Sequence, residues 1–314
     1  MGKIAFVFPG QGAQAVGMGR DAYDTCESSK SVFEKADSAL GFKLSDIIFD
    51  GPDEELKKTY NTQPALLTAS VALYEAFRSS GVSPDFVAGH SLGEYSALVV
   101  AGALGFEDAV RTVRARGEFM EQAVPNGQGA MAATLGAERD ALSQLCKEIS
   151  LTTGVVELAN MNCPGQIVIS GSKEGVQAVV ERGKEAGAKR VIPLEVSGPF
   201  HSSLMKPASE KLAEALGKAE VSVAQVPVVA NVNARPVTDP AQIRGLLVEQ
   251  VYSPVLWEDS VNWLIAEGVD TFFEIGSGTV LAGLIKKIDK NVKVVSINSI
   301  EAIEQFVSAS SASN

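Results

Sequence analysis

The chain has 314 residues, 46% hydrophobic and 21% charged, with a formal net charge of −11; that length supports a large core and more than one lobe, while the acidic balance excludes a general nucleic-acid binder, which needs a basic face. Three cysteines (Cys26, Cys146, Cys163) stand far apart in neither a zinc spacing nor a disulfide framework, so each reads most simply as a small buried apolar residue in a reducing, cytoplasmic setting. No apolar run is long enough to span a bilayer, and the start carries neither a signal-peptide pattern nor, with Phe6 in sixth place, a myristoylation motif.

Residues 4–8 predict a buried strand, ended by Pro9-Gly10-Gln11-Gly12-Ala13-Gln14. Glycines on both sides of Gln11 let the backbone turn tightly against another group. A dinucleotide loop would need glycine at position 15, which is Ala15, so that reading fails. Residues 31–60 look helical with solvated charged faces. Asn61-Thr62-Gln63-Pro64 then reads as a turn opening a buried helix over 65–77, with Gln63 most simply its cap.

Residues 84–88 predict a short strand and 92–101 an apolar helix, with Gly89-His90-Ser91-Leu92-Gly93 between them. Gly-x-Ser-x-Gly between strand and helix is a nucleophile elbow: glycines allow the sharp turn, and the serine stands at a helix start whose free N–H groups favour a developing oxyanion. The Leu92 N–H would supply one donor, and the Gln11 loop, which follows a different strand, the other.

The helix over 107–122 places Ala109, Thr112, Val113, Phe119 and Met120 on one stripe with Arg116 in its middle. Arg111, Arg114, Glu118 and Glu121 fall on the solvated side. An arginine facing a core needs an anion. The simplest partner is an internal Asp or Glu; the functional alternative is a substrate carboxylate gripped by the fork.

After Pro125-Asn126-Gly127-Gln128-Gly129, which reads as a hinge, the pattern runs strand (130–135), helix (138–149), strands (155–161, 166–170), helix (173–186), strand (189–196). That β-α-β-β-α-β order is a ferredoxin-like unit. The expected organisation is a larger α/β domain, residues 1–126 and 198–314, with a small subdomain, 127–197, inserted. The chain leaves the insert at Ser197-Gly198-Pro199-Phe200-His201-Ser202. Of the two histidines, His90 is adjacent to Ser91 and points away from it, so His201 is the candidate base. Ser before His is the α/β-hydrolase order. The remainder alternates: strand 226–231, helices 243–251 and 257–267, strand 271–275, Gly276-Ser277-Gly278 opening a helix, and a final strand 292–297. Asn231, Gln250 and Glu274 end elements, and any could orient His201. The Ser/Ala-rich tail 308–314 is expected to fray.

Taken together, these blocks resemble the malonyl-CoA:acyl-carrier-protein transacylases of fatty acid synthesis and the related acyltransferase domains of polyketide synthases. The likeness runs through Phe8-Pro9-Gly10-Gln11-Gly12-Ala13-Gln14, Asn61-Thr62-Gln63-Pro64-Ala65, Gly89-His90-Ser91-Leu92-Gly93-Glu94, Arg114-Ala115-Arg116-Gly117 with Met120, and Gly198-Pro199-Phe200-His201. Ala13 stands where the family usually has serine, and Ser277 where it has proline. The resemblance implies an α/β-hydrolase-like domain with a parallel sheet, Ser91 as acylated nucleophile, His201 as base, Gln11 and Leu92 as oxyanion donors, and Arg116 as carboxylate binder. It implies substrate-binding roles for Gln63, Met120 and Phe200, the last crowding an α-methyl branch. It also implies a main-chain carbonyl at Gln250 holding the histidine. Malonyl-CoA and acyl carrier protein are the implied partners, with no metal and no cofactor of the chain's own; the phosphopantetheine belongs to the carrier. A monomer is expected. Carrier docking would need a local basic patch, Lys189-Arg190 and Lys286-Lys287 being the tightest pairs. A serine hydrolase or thioesterase of similar fold is the nearest rival, and a non-catalytic acyl-binding subunit the second.

Overall fold

The computed structural model describes residues 2–311. In chain order its strands are β1 (Lys3–Phe8), β2 (Phe86–Gly89), β3 (Gly129–Leu135), β4 (Val156–Cys163), β5 (Gln166–Ser172), β6 (Arg190–Pro193), β7 (Val228–Val229), β8 (Pro236–Val237), β9 (Val269–Ile275) and β10 (Lys293–Ile297). Six form one sheet in the order β10-β9-β1-β2-β7-β8, parallel throughout except for the β7–β8 hairpin. Its central strands are near-continuous apolar runs, as strands covered on both faces must be: Ala5, Phe6, Val7 and Phe8 of β1 are all buried. The other four form a separate antiparallel sheet, β4-β5-β3-β6, with helices Arg139–Thr152 and Lys173–Arg182 contributing to its core. This is the strand order of a ferredoxin-like unit, so the fold is the α/β architecture with a second, antiparallel sheet that the sequence predicted.

The two sheets are joined next to the serine turn. Val255 N–H donates to Ala159 O (2.8 Å) and Met161 N–H to Val255 O (2.9 Å), which ties the β4 edge to the segment that follows Gln250. His90 Nε2 and Asn162 Oδ1 meet at 2.8 Å across the same seam.

Several local expectations are corrected. The buried helix runs Thr59–Phe77, so Asn61 to Pro64 lie inside it and Gln63 caps nothing. Pro64 removes the N–H that would have bonded Tyr60 O. That carbonyl instead receives Arg114 Nη1 (3.3 Å), which also donates to Asn61 Oδ1 (2.5 Å). Arg114, expected in solvent, is therefore half-buried and lies over the Tyr60 ring. Phe119 is only partly buried on its stripe, and Cys26 is likewise not a core residue. Residues 31–60 divide among three helices, Glu27–Leu40, Leu44–Asp50 and Asp53–Lys57, and the first two residues of the Thr59–Phe77 helix. The strand predicted over 226–231 is only two residues long, and β10 is not the last element. Helix Ile300–Ser311 follows, so residues 308–311 are helical; residues 312–314 and Met1 lie outside the described residues.

Glycine is required where the elbow meets β1. A Cβ on Gly93 would lie 2.1 Å from Phe8 O, one on Gly89 1.9 Å from the Gly93 carbonyl group, and one on Gly10 2.3 Å from His90 O. All three obstacles are backbone. Gly93→Ala should therefore destabilise the fold by about 2–3 kcal/mol through overpacking, seen as a lower urea midpoint with an unchanged slope. An unaltered midpoint would mean that the elbow is not pressed against β1.

Candidate active site

Ser91 sits between β2 and helix Gly93–Val100 with φ 51°, and His201 lies in its loop with φ 57°. Both occupy the left-handed region that side chains seldom enter, a strain that persists only where the surroundings enforce it. For Ser91 the enforcing residue is Asn231, just beyond β7. Its Oδ1 accepts the Ser91 N–H (2.8 Å) and its Nδ2 donates to Gly89 O (2.7 Å), clamping the turn on both sides.

Ser91 Oγ lies 2.7 Å from His201 Nε2, and His201 Nδ1 lies 2.8 Å from Gln250 O. A carbonyl only accepts, so Nδ1 carries the proton and Nε2 is left to receive the serine's. Gln250 thus orients the histidine through its main chain, while the other two candidates do other work. Asn231 holds the elbow. Glu274 is buried at the end of β9 and receives Leu281 and Ala282 N–H at 2.9 and 2.8 Å, capping helix Val280–Ile288; burial pushes its carboxyl up to about 7. The imidazole of His201 is driven the other way. Burial first, and then the nearby Arg116 charge, hold its pKa down to about 3.

Arg116 is 1% exposed, and among the described residues no carboxylate touches it. Its Nη1 donates to Gln63 Oε1 (2.7 Å), and its Nη2 to Gln250 Oε1 (2.9 Å) and to Ser91 Oγ (3.2 Å); Nε is buried without a partner. The internal Asp or Glu that would have made it a structural ion pair is not there. Two neutral amide oxygens steer the fork, and its remaining direction is the nucleophile. Gln63 keeps its other end against Met120, Nε2 to Sδ at 3.6 Å, so the two residues back the fork from one side.

Among the described residues, the Gln11 and Leu92 N–H groups have no acceptor. Leu92 directly precedes the first residue of the Gly93–Val100 helix, and the Gly10–His90 approach brings the Gln11 loop against the elbow. The Gln11 side chain reaches Thr59 Oγ1 at 3.3 Å. Phe200 is buried one residue before His201, its ring beside Gly198. A cleft of about 390 Å³ opens between the two sheets, lined by Gln11, His90, Asn160, Asn162, Gln166 and Leu194 among others. Among the described residues no group of three His, Cys, Asp or Glu is placed to hold a metal ion.

Ser91, His201 and Arg116, read from the sequence, lie together with Gln250, which the family resemblance singled out; the sequence reading gave Asn231 a different role and missed Glu94. Asn231 clamps the elbow rather than the histidine. Glu94, fully buried, accepts Asn231 N–H and Gln250 Nε2 behind the serine. A lone acid in the otherwise apolar run 92–101 was the available signal for Glu94.

Residues 5–303 match the family model described as the acyl transferase domain. The malonyl CoA-acyl carrier protein transacylase of Bacillus subtilis (strain 168) is 58% identical over 304 residues, covering 97% of this chain and 96% of that protein. The solved acyl carrier protein S-malonyltransferase of Vibrio cholerae O1 biovar eltor superposes with a TM-score of 0.94 at 44% identity, covering 97% of this chain and 99% of its own. A solved type II PKS acyl-carrier protein in complex with its malonyl-transacylase gives a TM-score of 0.94 at 42% identity, covering 98% of this chain and 99% of that chain.

An imidazole can take the serine proton only when neutral, that is, above its pKa. With that pKa at about 3, the rate at which a neutral fluorophosphonate modifies Ser91 should stay within about twofold from pH ~8 down to pH ~5. Half-loss near pH ~6.5, where an ordinary imidazole protonates, would contradict the buried, Arg116-facing environment of His201.

Proposed function

This chain belongs to the acyl transferase domain family, and from that premise we propose that it moves the malonyl group from malonyl-CoA to the phosphopantetheine thiol of an acyl carrier protein, through a malonyl ester on Ser91. The observation that carries this reading is the Arg116 fork: a buried guanidinium, free of any acidic side chain, 3.2 Å from the serine oxygen. A neutral acyl group has no use for it, and a carboxylate two bonds from the reacting carbonyl does.

The geometry supports a ping-pong sequence. His201 Nε2 takes the Ser91 hydroxyl proton as Oγ bonds to the thioester carbonyl carbon. The negative charge that develops on the carbonyl oxygen is received by the Gln11 and Leu92 N–H groups. The C–S bond then breaks, and the departing sulfur of CoA takes the proton from His201. In the second half the carrier thiol gives its proton to His201 and bonds to the ester carbonyl. The C–O bond breaks, and Ser91 Oγ recovers the proton. Gln250 O stabilises the imidazolium in both halves, the part an aspartate plays in a full triad. Arg116 pins the free carboxylate, so the ester carbonyl cannot swing away from the two donors.

Phe200, buried beside the base, disfavours an α-methyl branch by about 1–3 kcal/mol, so malonyl is preferred to methylmalonyl. The cleft lined by Gln11, Asn160 and Gln166 is the route for the pantetheine arm, and the chain carries no cofactor of its own. Carrier docking rests on Lys189, Arg190 and Lys287, exposed in an otherwise acidic chain. Lys286 contributes less, because its ammonium donates to the carbonyls of Lys290 and Val292. The reaction belongs to the cytoplasm, where the three free cysteines stay reduced, and no described helix is long and apolar enough to cross a membrane. Fatty acid biosynthesis is the first reading of the pathway. The likeness to a malonyl-transacylase in complex with a type II PKS carrier favours polyketide assembly as the second.

Arg116→Ala should weaken malonyl transfer by about 2–5 kcal/mol, the cost of losing a charge-assisted fork, and leave the slow transfer of acetyl groups much less affected. Rates with malonyl-CoA and acetyl-CoA on one preparation test this. An equal fall for both would remove the carboxylate role.

A further inference from the structure

Behind the serine lies a carboxylate that the steps above do not use. Glu94 is 2% exposed in the first turn of the elbow helix. Its Oε2 accepts Asn231 N–H at 3.0 Å and Gln250 Nε2 at 2.8 Å. At its other end Gln250 Oε1 accepts Arg116 Nη2 at 2.9 Å. A guanidinium only donates and an ionised carboxylate only accepts, so the amide between them has one orientation. Gln250 Nε2 also faces Ser91 O (3.0 Å) and Asn231 Oδ1 (3.1 Å), both acceptors, which fixes the same choice. The result is an ion pair relayed by a single amide. A cation this deep requires an anion nearby, yet direct contact would have consumed the fork that faces Ser91.

We propose that Glu94 is the counter-charge of Arg116, balancing the buried guanidinium through Gln250 while leaving the fork's Ser91-facing side to the substrate carboxylate, and so setting how strongly the site prefers an acidic acyl group. The inference deepens the malonyl reading and rests on it. Glu94 touches no reacting atom; it is a positioning residue acting through Gln250 and Arg116.

The consequence has a definite sign. Malonyl brings a second anion to the same cation, so it competes electrostatically with Glu94, whereas acetyl does not. Neutralising Glu94 leaves malonyl as the sole counter-anion and strengthens its hold. Glu94→Gln isolates this charge effect, because one amide oxygen can accept both bonds that Oε2 accepts. Wild-type enzyme offers the same experiment by titration, since burial pushes the Glu94 carboxyl up to about 7. The other ionisable groups around it are Arg116, the Tyr95 phenol, His201 and His90. Arg116 stays charged, burial raises the phenol further, and burial lowers both imidazoles, so none of them follows Glu94 through this range.

The test is the ratio of Ser91 acylation rates with malonyl-CoA and acetyl-CoA, followed by intact mass, together with the Tm gain on malonylation relative to acetylation. In E94Q the ratio should rise about fivefold and the relative Tm gain should grow, while E94D returns both toward wild type. In wild type the ratio should climb as pH falls from about 8.5 to about 6, and in E94Q it should be flat across that range. A ratio and Tm gain unchanged in E94Q would overturn the proposal. If E94Q does not fold, the wild-type series decides alone, and a flat ratio there overturns it. Absence of any malonyl adduct on wild-type Ser91 would overturn the malonyl reading itself, and this inference with it.

Discussion

The site depends on one arrangement: a permanent positive charge buried against the nucleophile with no acidic side chain in contact. Guanidinium cannot neutralise itself by losing a proton, so its burial must be compensated. Here the compensation is spread over two amide oxygens, Gln63 and Gln250, and a carboxylate one residue further on. A direct salt bridge would have been simpler and would have left nothing for a substrate. The same charge helps keep His201 neutral, so a single side chain both faces the serine oxygen with a cation and holds the neighbouring imidazole ready to accept a proton.

Gln250 is where these demands meet. Its carbonyl fixes the His201 tautomer, its side-chain oxygen holds Arg116, and its side-chain nitrogen reaches Glu94, Asn231 and Ser91 O. Geometry around the serine is tightened from the other side by Asn231 and by glycines whose missing side chains let β1, the elbow and the Gln11 loop close on one another. The strained φ of Ser91 and His201 is sustained by this crowding, not by either residue's own preference.

How far the sequence could be read depended on the range of the forces involved. Elements with strong periodicity and unambiguous ends were legible: β1, the elbow, the helix carrying Arg116, and the β-α-β-β-α-β run. A charged residue in the centre of an apolar stripe marked Arg116 because burial of a guanidinium is never neutral. What escaped was decided by partners far away in the chain. Pro64 looked like a helix start because its lost hydrogen bond is replaced only in three dimensions, by Arg114 from another helix. Asn231, Gln250 and Glu274 were equivalent as polar residues at element ends, and only the packing shows that one clamps the elbow, one serves the histidine and one caps a helix. The two-residue β7 carries too little pattern to be bounded from sequence. Glu94 was visible as an acid in an apolar run, but its counterpart lies 22 positions away in numbering and is reached only through Gln250.

The most direct test of the central claim is the fate of the Ser91 ester, followed by intact-protein mass spectrometry after mixing with malonyl-CoA. Convergence of Ser91, His201 and Arg116 on one site predicts a malonyl adduct on Ser91 that persists in buffer and is discharged rapidly when a carrier protein bearing a free phosphopantetheine thiol is added. Release of free malonate into water as fast without the carrier as with it would contradict the account and make the chain a hydrolase.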